Sequence, residues 1–110
     1  MLILQSRYLI PKGFNGMTIF PFVIISTQAD MSDEVLINHE KIHLKQQLEV
    51  AILPFFVIYF IEYLVRLIQY RNRRDAYHNI SFEREAYANE GNLEYLKKRK
   101  FWSFLKYLWL

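Results

Sequence analysis

His39, Glu40 and His43 stand in the order H-E-x-x-H, a spacing suited to metal-assisted hydrolysis. On an α-helix, positions four apart lie one turn above each other on one face, so both imidazoles can reach a single ion. Glu40 then falls beside the ion's open coordination position. Zinc held by two imidazoles and one carboxylate keeps its fourth site for water, lowers that water's pKa to about 7, and lets a nearby carboxylate take the proton. The leading expectation is therefore peptide-bond hydrolysis by metal-activated water, with His39 and His43 as zinc ligands and Glu40 as general base. The competing reading is a charged, solvated helix with two incidental histidines.

The pattern has meaning only on a helix, and the flanking residues predict one. Ser32, Asp33 and Glu34 supply capping and acidic residues for a helix start, and residues 35–51 contain neither Gly nor Pro. At 100° per residue, His39, His43, Gln46 and Val50 share a narrow sector, while Ile37, Leu44 and Leu48 gather opposite. One face is expected to hold metal and the other to pack. Gln46 or Gln47 is placed to orient a ligand.

A third ligand must come from downstream, where His78, Glu83, Glu85, Glu90 and Glu94 are the candidates. Glu83 is preferred, because Ser81 can cap a helix beginning at Phe82 and so put Glu83 in the first turn of a good helix-forming segment. Glu83 and Glu85 also suit a helix N-terminus simply as acidic residues.

With Glu83 in place the chain resembles the gluzincins, metallopeptidases in which H-E-x-x-H is followed by a glutamate ligand on a later helix. Several such families carry that ligand as E-x-x-A followed by Asp or Asn. Glu83-Arg84-Glu85-Ala86-Tyr87 reproduces the glutamate and the alanine, and Tyr87 departs from the pattern. The resemblance thus implies that a second-shell hydrogen bond is either lost or passed to the Tyr87 hydroxyl. The chain is also similar to small bacterial proteins with H-E-x-x-H-x-x-Q, an aromatic-rich helix and A-Y-x-x-I-x-F-E-x-E-A. Gln46, Tyr59 and Glu62, then Ala76, Tyr77, Ile80, Phe82, Glu83, Glu85 and Ala86, stand at those places. This likeness runs from residue 38 to residue 90 and implies a zinc site without naming a substrate.

The 110 residues suggest one minimal domain. Its expected class is α+β and mainly helical. A small β-hairpin or sheet (residues 1–30) precedes the active-site and apolar helices (33–70), and a third-ligand helix and C-terminal amphipathic helix follow (82–110). In the β-rich segment, residues 8–10 and 17–27 read as strand-like runs, and Pro21 favours an edge or bulge. That sheet can cover the helix or offer an edge to an extended peptide. Cysteine is absent, which excludes disulfides and thiolate zinc sites. No glycine-rich phosphate loop supports nucleotide chemistry, and the net charge of +3 lies mainly in two basic clusters, so nucleic acid is not an expected partner.

Hydrophobic residues make up 53% and aromatics 17%, more than an ordinary small core requires. The excess is local. Residues 50–68 approach bilayer-spanning length with only Glu62 and Arg66 charged, and these two can pair at i,i+4. Arg71, Arg73 and Arg74 follow, and residues 97–100 form a second cluster before the aromatic segment 101–110. Such a tail reads either as an interfacial anchor or as an amphipathic helix packed on the protein. A straight helix from His43 to Tyr70 would carry the chain about 40 Å from the metal, so an end or kink at Pro54 is expected. Partial insertion or a helix lying on the membrane then suits the metal geometry better than a full crossing.

No signal peptide is evident, which favours the cytoplasmic side of a membrane, with a soluble cytoplasmic protein as the alternative. Two functions remain open. One is a membrane-associated zinc metallopeptidase acting on peptide or protein substrates, with Tyr77, His78 or Tyr87 as electrophilic group. The other is a non-catalytic, zinc-stabilised membrane-associated protein, for which Glu40 would be dispensable.

Overall fold

The computed structural model describes residues 2–108, as an N-terminal three-stranded sheet followed by helices. Strands β1 (Leu2–Gln5), β2 (Gly16–Ile19) and β3 (Phe22–Ile25) lie in the order β1-β3-β2. β1 runs parallel to β3, with Leu2 opposite Phe22, and β2 runs antiparallel to it, with Gly16 opposite Ile25. Residues 17–27 are therefore not one strand but a hairpin that turns at Phe20-Pro21, a cis peptide. Pro21 sits in the turn rather than at an edge or bulge, and its carbonyl accepts from the Leu2 amide at 2.9 Å. Residues 8–10 lie outside the strands, while the apolar run at the start of the chain supplies β1. Central β3 buries Val23, Ile24 and Ile25.

Helix α1 (Glu34–Glu49) begins at Asp33, whose carboxylate accepts from the Val35 and Leu36 amides at 3.1 Å each. This is the expected cap, satisfying two amides that lack intrahelical partners. Its buried face reverses the expected packing. Asn38, His39, Glu40, His43, Gln46 and Gln47 are buried, whereas Leu48 is exposed and Ile37 and Leu44 are half-buried. The sheet and the later helices cover the polar side, where side-chain hydrogen bonds replace those to water.

The chain reverses after α1 through Ala51, which has φ 57°. Helix α2 (Leu53–Tyr70) follows with Pro54 in its first turn, where a missing N–H costs nothing. The break thus precedes Pro54, and α2 is a single helix. Along it Phe55 is 2% exposed, whereas Ile68 is 79% exposed and Val57, Phe60, Ile61 and Val65 are exposed as well.

Two short helices return the chain to the site: α3 (Arg73–His78) and α4 (Ser81–Asn89). Ser81 does not cap α4. Its amide and hydroxyl donate instead to the Glu62 carboxylate at 2.8 and 2.6 Å, so a residue of α2 satisfies the start of α4. Glu62 is thereby withdrawn from the expected pair with Arg66, which donates to Gln69 and to the Leu108 carbonyl.

The C-terminal segment forms α5 (Tyr95–Lys98) and a 3-10 turn (Ser103–Tyr107) rather than an amphipathic α-helix. Phe104 joins Val50, Phe55, Ile80 and Phe82 in the core, with its ring 4.6 Å from that of Phe82. Trp109 and Leu110, part of the expected anchor, lie outside the described residues. Arg99 turns inward from the basic cluster with its side chain 3% exposed, bonded to Glu49 of α1 and Glu85 of α4.

Candidate metal centre

His39 and His43 project from α1 toward the first turn of α4, where Glu83 meets them. The His39 Nε2 lies 3.1 Å and the His43 Nε2 3.0 Å from Glu83 Oε1, and the two nitrogens are 3.2 Å apart. All three residues are buried. Donors about 2.0–2.1 Å from a tetrahedral ion of zinc size stand roughly 3.3 Å from one another, so this triangle already has nearly the required edge. Of the proposed third ligands the structure brings Glu83 into this triangle, and not Glu85, Glu90, His78 or Glu94.

The opposite ring nitrogens explain why the triangle faces inward. His39 Nδ1 lies 2.9 Å from Glu90 Oε1, and a carboxylate can only accept, so Nδ1 carries the proton. His43 Nδ1 lies 2.8 Å from Gln46 Oε1. The Gln46 amide nitrogen donates to the Phe82 carbonyl at 3.0 Å and to Glu85 at 2.9 Å, which leaves its oxygen to accept from His43. With both Nδ1 atoms bonded outward, the two Nε2 atoms face one carboxylate oxygen. Three acceptors converging in a buried space require protons or a cation between them. The group can therefore hold a metal ion.

The remaining Glu83 oxygen is also committed, accepting from the Tyr59 hydroxyl of α2 at 2.6 Å. Burial disfavours charge on Glu83, but the facing His43 charge and hydrogen bonds from both histidines outweigh it and hold the carboxyl well below its usual range. Burial likewise disfavours the His43 imidazolium, yet the charge and hydrogen bond of Glu83, aided by Glu40 and Gln46, raise it to about 9. Without a metal, protons serve as the cation.

Glu40 is buried beside the triangle without joining it. The Thr18 hydroxyl of β2 donates to its carboxylate at 2.8 Å, and Gly16 leaves the room it occupies, since a Cβ there would lie 3.2 Å from the Glu40 carboxyl carbon. Gln47 ties α1 to the same strand, donating to the Thr18 carbonyl and accepting from the Phe20 amide, each at 2.7 Å. Gln46, not Gln47, is thus the glutamine that orients a ligand, and the sheet braces the helix along β2.

Glu40, His43 and Glu83 open onto a cavity of about 1120 Å³. Tyr77, His78 and Tyr87 line it as well. Tyr87 does not orient a ligand through its hydroxyl; its ring packs edge-on against His39 at 4.5 Å, and its hydroxyl is 3.5 Å from that of Tyr77. Burial, then the charge of Glu83, keep the Tyr77 phenol protonated by pushing its pKa up. Sequence reasoning missed the orienting role of Glu90 and the bond from Tyr59; the aromatic-rich helix was the available signal for the second. No family model, curated protein or solved structure matches the chain, so the chemistry rests on the site itself.

Proposed function

We propose that this chain is a membrane-associated zinc metallopeptidase of gluzincin type. The observation that carries the reading is the convergence of His39 Nε2, His43 Nε2 and Glu83 Oε1 within 3.0–3.2 Å, with His43 and Glu83 lining a cavity that Glu40 also lines. Two imidazoles and a carboxylate are the donor set of open zinc sites, whereas calcium and magnesium favour oxygen. His39, His43 and Glu83 would hold zinc, which would supply Lewis acidity and lower the pKa of water there. Glu40 takes the proton of the attacking water and returns it to the leaving amine, steadied by the Thr18 hydroxyl. Tyr77 donates to the negative charge developing on the carbonyl oxygen. Tyr59 is committed to Glu83, while the Tyr77 hydroxyl accepts from that of Tyr87 at 3.5 Å and donates to no partner among the described residues.

The membrane part rests on α2. Its inner side supplies Phe55, Tyr59 and Glu62 to the domain, and its outer side is apolar and exposed. It is long and apolar enough to cross a bilayer. Because one side is committed to the site, we assign the outer side to lie against a membrane surface on its cytoplasmic face.

A second reading, a zinc clamp without turnover, draws on the fact that the donors join α1 to α4. Zinc content and cleavage of a fluorogenic peptide library, measured on wild type and Glu40→Gln, separate the two. The peptidase reading expects bound zinc in both and a fall of about 100-fold or more in turnover for the variant. Zinc in both with no cleavage by wild type would leave the clamp.

A further inference from the structure

The cavity is lined by residues of mixed chemistry: Glu40, His43 and Glu83 of the candidate metal site, and aromatic side chains including Phe14, Phe55, Phe56 and Phe60. Arg73 and Arg74 also line it. Among the described residues neither guanidinium has an ion-pair or hydrogen-bond partner, unlike Arg84 and Arg99. Cations in the first turn of a helix oppose the peptide dipoles, so local helix energetics does not account for the pair. At about 1120 Å³ the space exceeds the roughly 300–1,000 Å³ of most small-ligand pockets and suits a peptide segment.

We infer that the substrate is a peptide segment with apolar or aromatic side chains and a carboxylate, and that Arg73 and Arg74 receive this carboxylate. The inference rests on the peptidase reading. At the metal site Glu40 and Glu83 offset the charge of bound zinc, whereas Arg73 and Arg74 keep theirs, so charge draws the carboxylate to the arginines. Aromatic walls contribute affinity without direction. The carboxylate belongs either to an Asp or Glu side chain or to the end of the peptide chain.

Short fluorescent peptides of one apolar sequence distinguish these sources: one with an internal Glu, one with Gln in its place, each with a free or amidated C-terminus. Binding is read by anisotropy on zinc-loaded Glu40→Gln protein, and turnover on wild type. An internal or terminal carboxylate should tighten binding by about tenfold. In Arg73→Ala/Arg74→Ala that preference should nearly vanish, with KM raised and kcat retained. Arg73→Glu/Arg74→Glu should instead prefer a Lys-bearing peptide, which also shows that the site still folds. Equal binding of acidic and neutral peptides, or a preference that survives in the double alanine variant, would overturn the inference. So would loss of binding to phosphatidylserine vesicles with peptide preference unchanged, which would give the arginines to lipid. A carboxylate preference without cleavage would remove the peptidase reading and leave the recognition intact.

Discussion

His43 gives the site its pH signature. Its pKa in the metal-free fold is raised to about 9 from an ordinary 6.5, so its contribution to stability is fully present below 6.5 and is lost as pH rises through about 9. Glu83 is shifted the other way from an ordinary 4.5, and its contribution is present above that value and lost in acid. Both describe one ion pair, counted once, and on the order of 3 kcal/mol. We expect the melting temperature of metal-free protein to be highest between pH 4.5 and 6.5 and to fall by pH 9, with the alkaline fall absent in His43→Gln. Metal needs a neutral imidazole, so zinc binding at pH 7 should release about one proton, read by calorimetry in buffers of different ionisation enthalpy. Glu90→Ala should weaken zinc by roughly 10–100-fold through His39, whereas Glu83→Ala should remove most of it. Glu83 was legible because a helix start and the E-x-x-A likeness both select it. Glu90 was not, because only the folded C-terminal end of α4 brings it to His39 Nδ1.

At the level of elements, Arg99 locks the C-terminal segment to α1 and α4 through Glu49 and Glu85, and Glu85 in turn holds Gln46. Arg99→Ala leaves buried carboxylates unpaired and should cost about 3–5 kcal/mol in urea unfolding. A cost below about 1 kcal/mol would show the network to be peripheral. The N-terminal sheet followed by helices, the capped helix α1 and the reversal near Pro54 were legible. The inward turn of Arg99 was not, since a run of cations does not reveal which of them meets acids from distant helices. Nor was the packing face of α1: periodicity separates polar from apolar sides, but the side that faces inward is decided by partners such as Thr18, Glu83 and Glu90. Likewise Pro21 marked an interruption in an apolar run without revealing that the strands on either side pair with each other.

For the molecule as a whole, the exposed outer side of α2 is distinct from the inner side, from which Tyr59 reaches Glu83 of the candidate metal site. Ile61→Glu/Val65→Glu should therefore abolish sedimentation with anionic vesicles while zinc content and melting stay near wild type. Unchanged sedimentation would contradict the assignment of that face to lipid. Removing residues 101–110, by contrast, cannot separate attachment from chemistry. Phe104 packs on Phe82, next to Glu83, and the Tyr107 carbonyl accepts from Arg84 at 2.9 Å. We expect Phe104→Ala alone to cost about 3–5 kcal/mol and to weaken zinc with it. The amount of apolar residue in the chain signalled a surface beyond the core, but composition could not say that Phe104 packs in the core while the outer side of α2 is exposed. The central claim is tested most directly by zinc K-edge X-ray absorption on the chain loaded with one equivalent of zinc. The account expects one tightly held ion with two imidazole nitrogens and a carboxylate oxygen at about 2.0–2.1 Å, and loss of the imidazole scattering in His39→Ala/His43→Ala. A first shell without two imidazoles, or the same spectrum in the double variant, would contradict it.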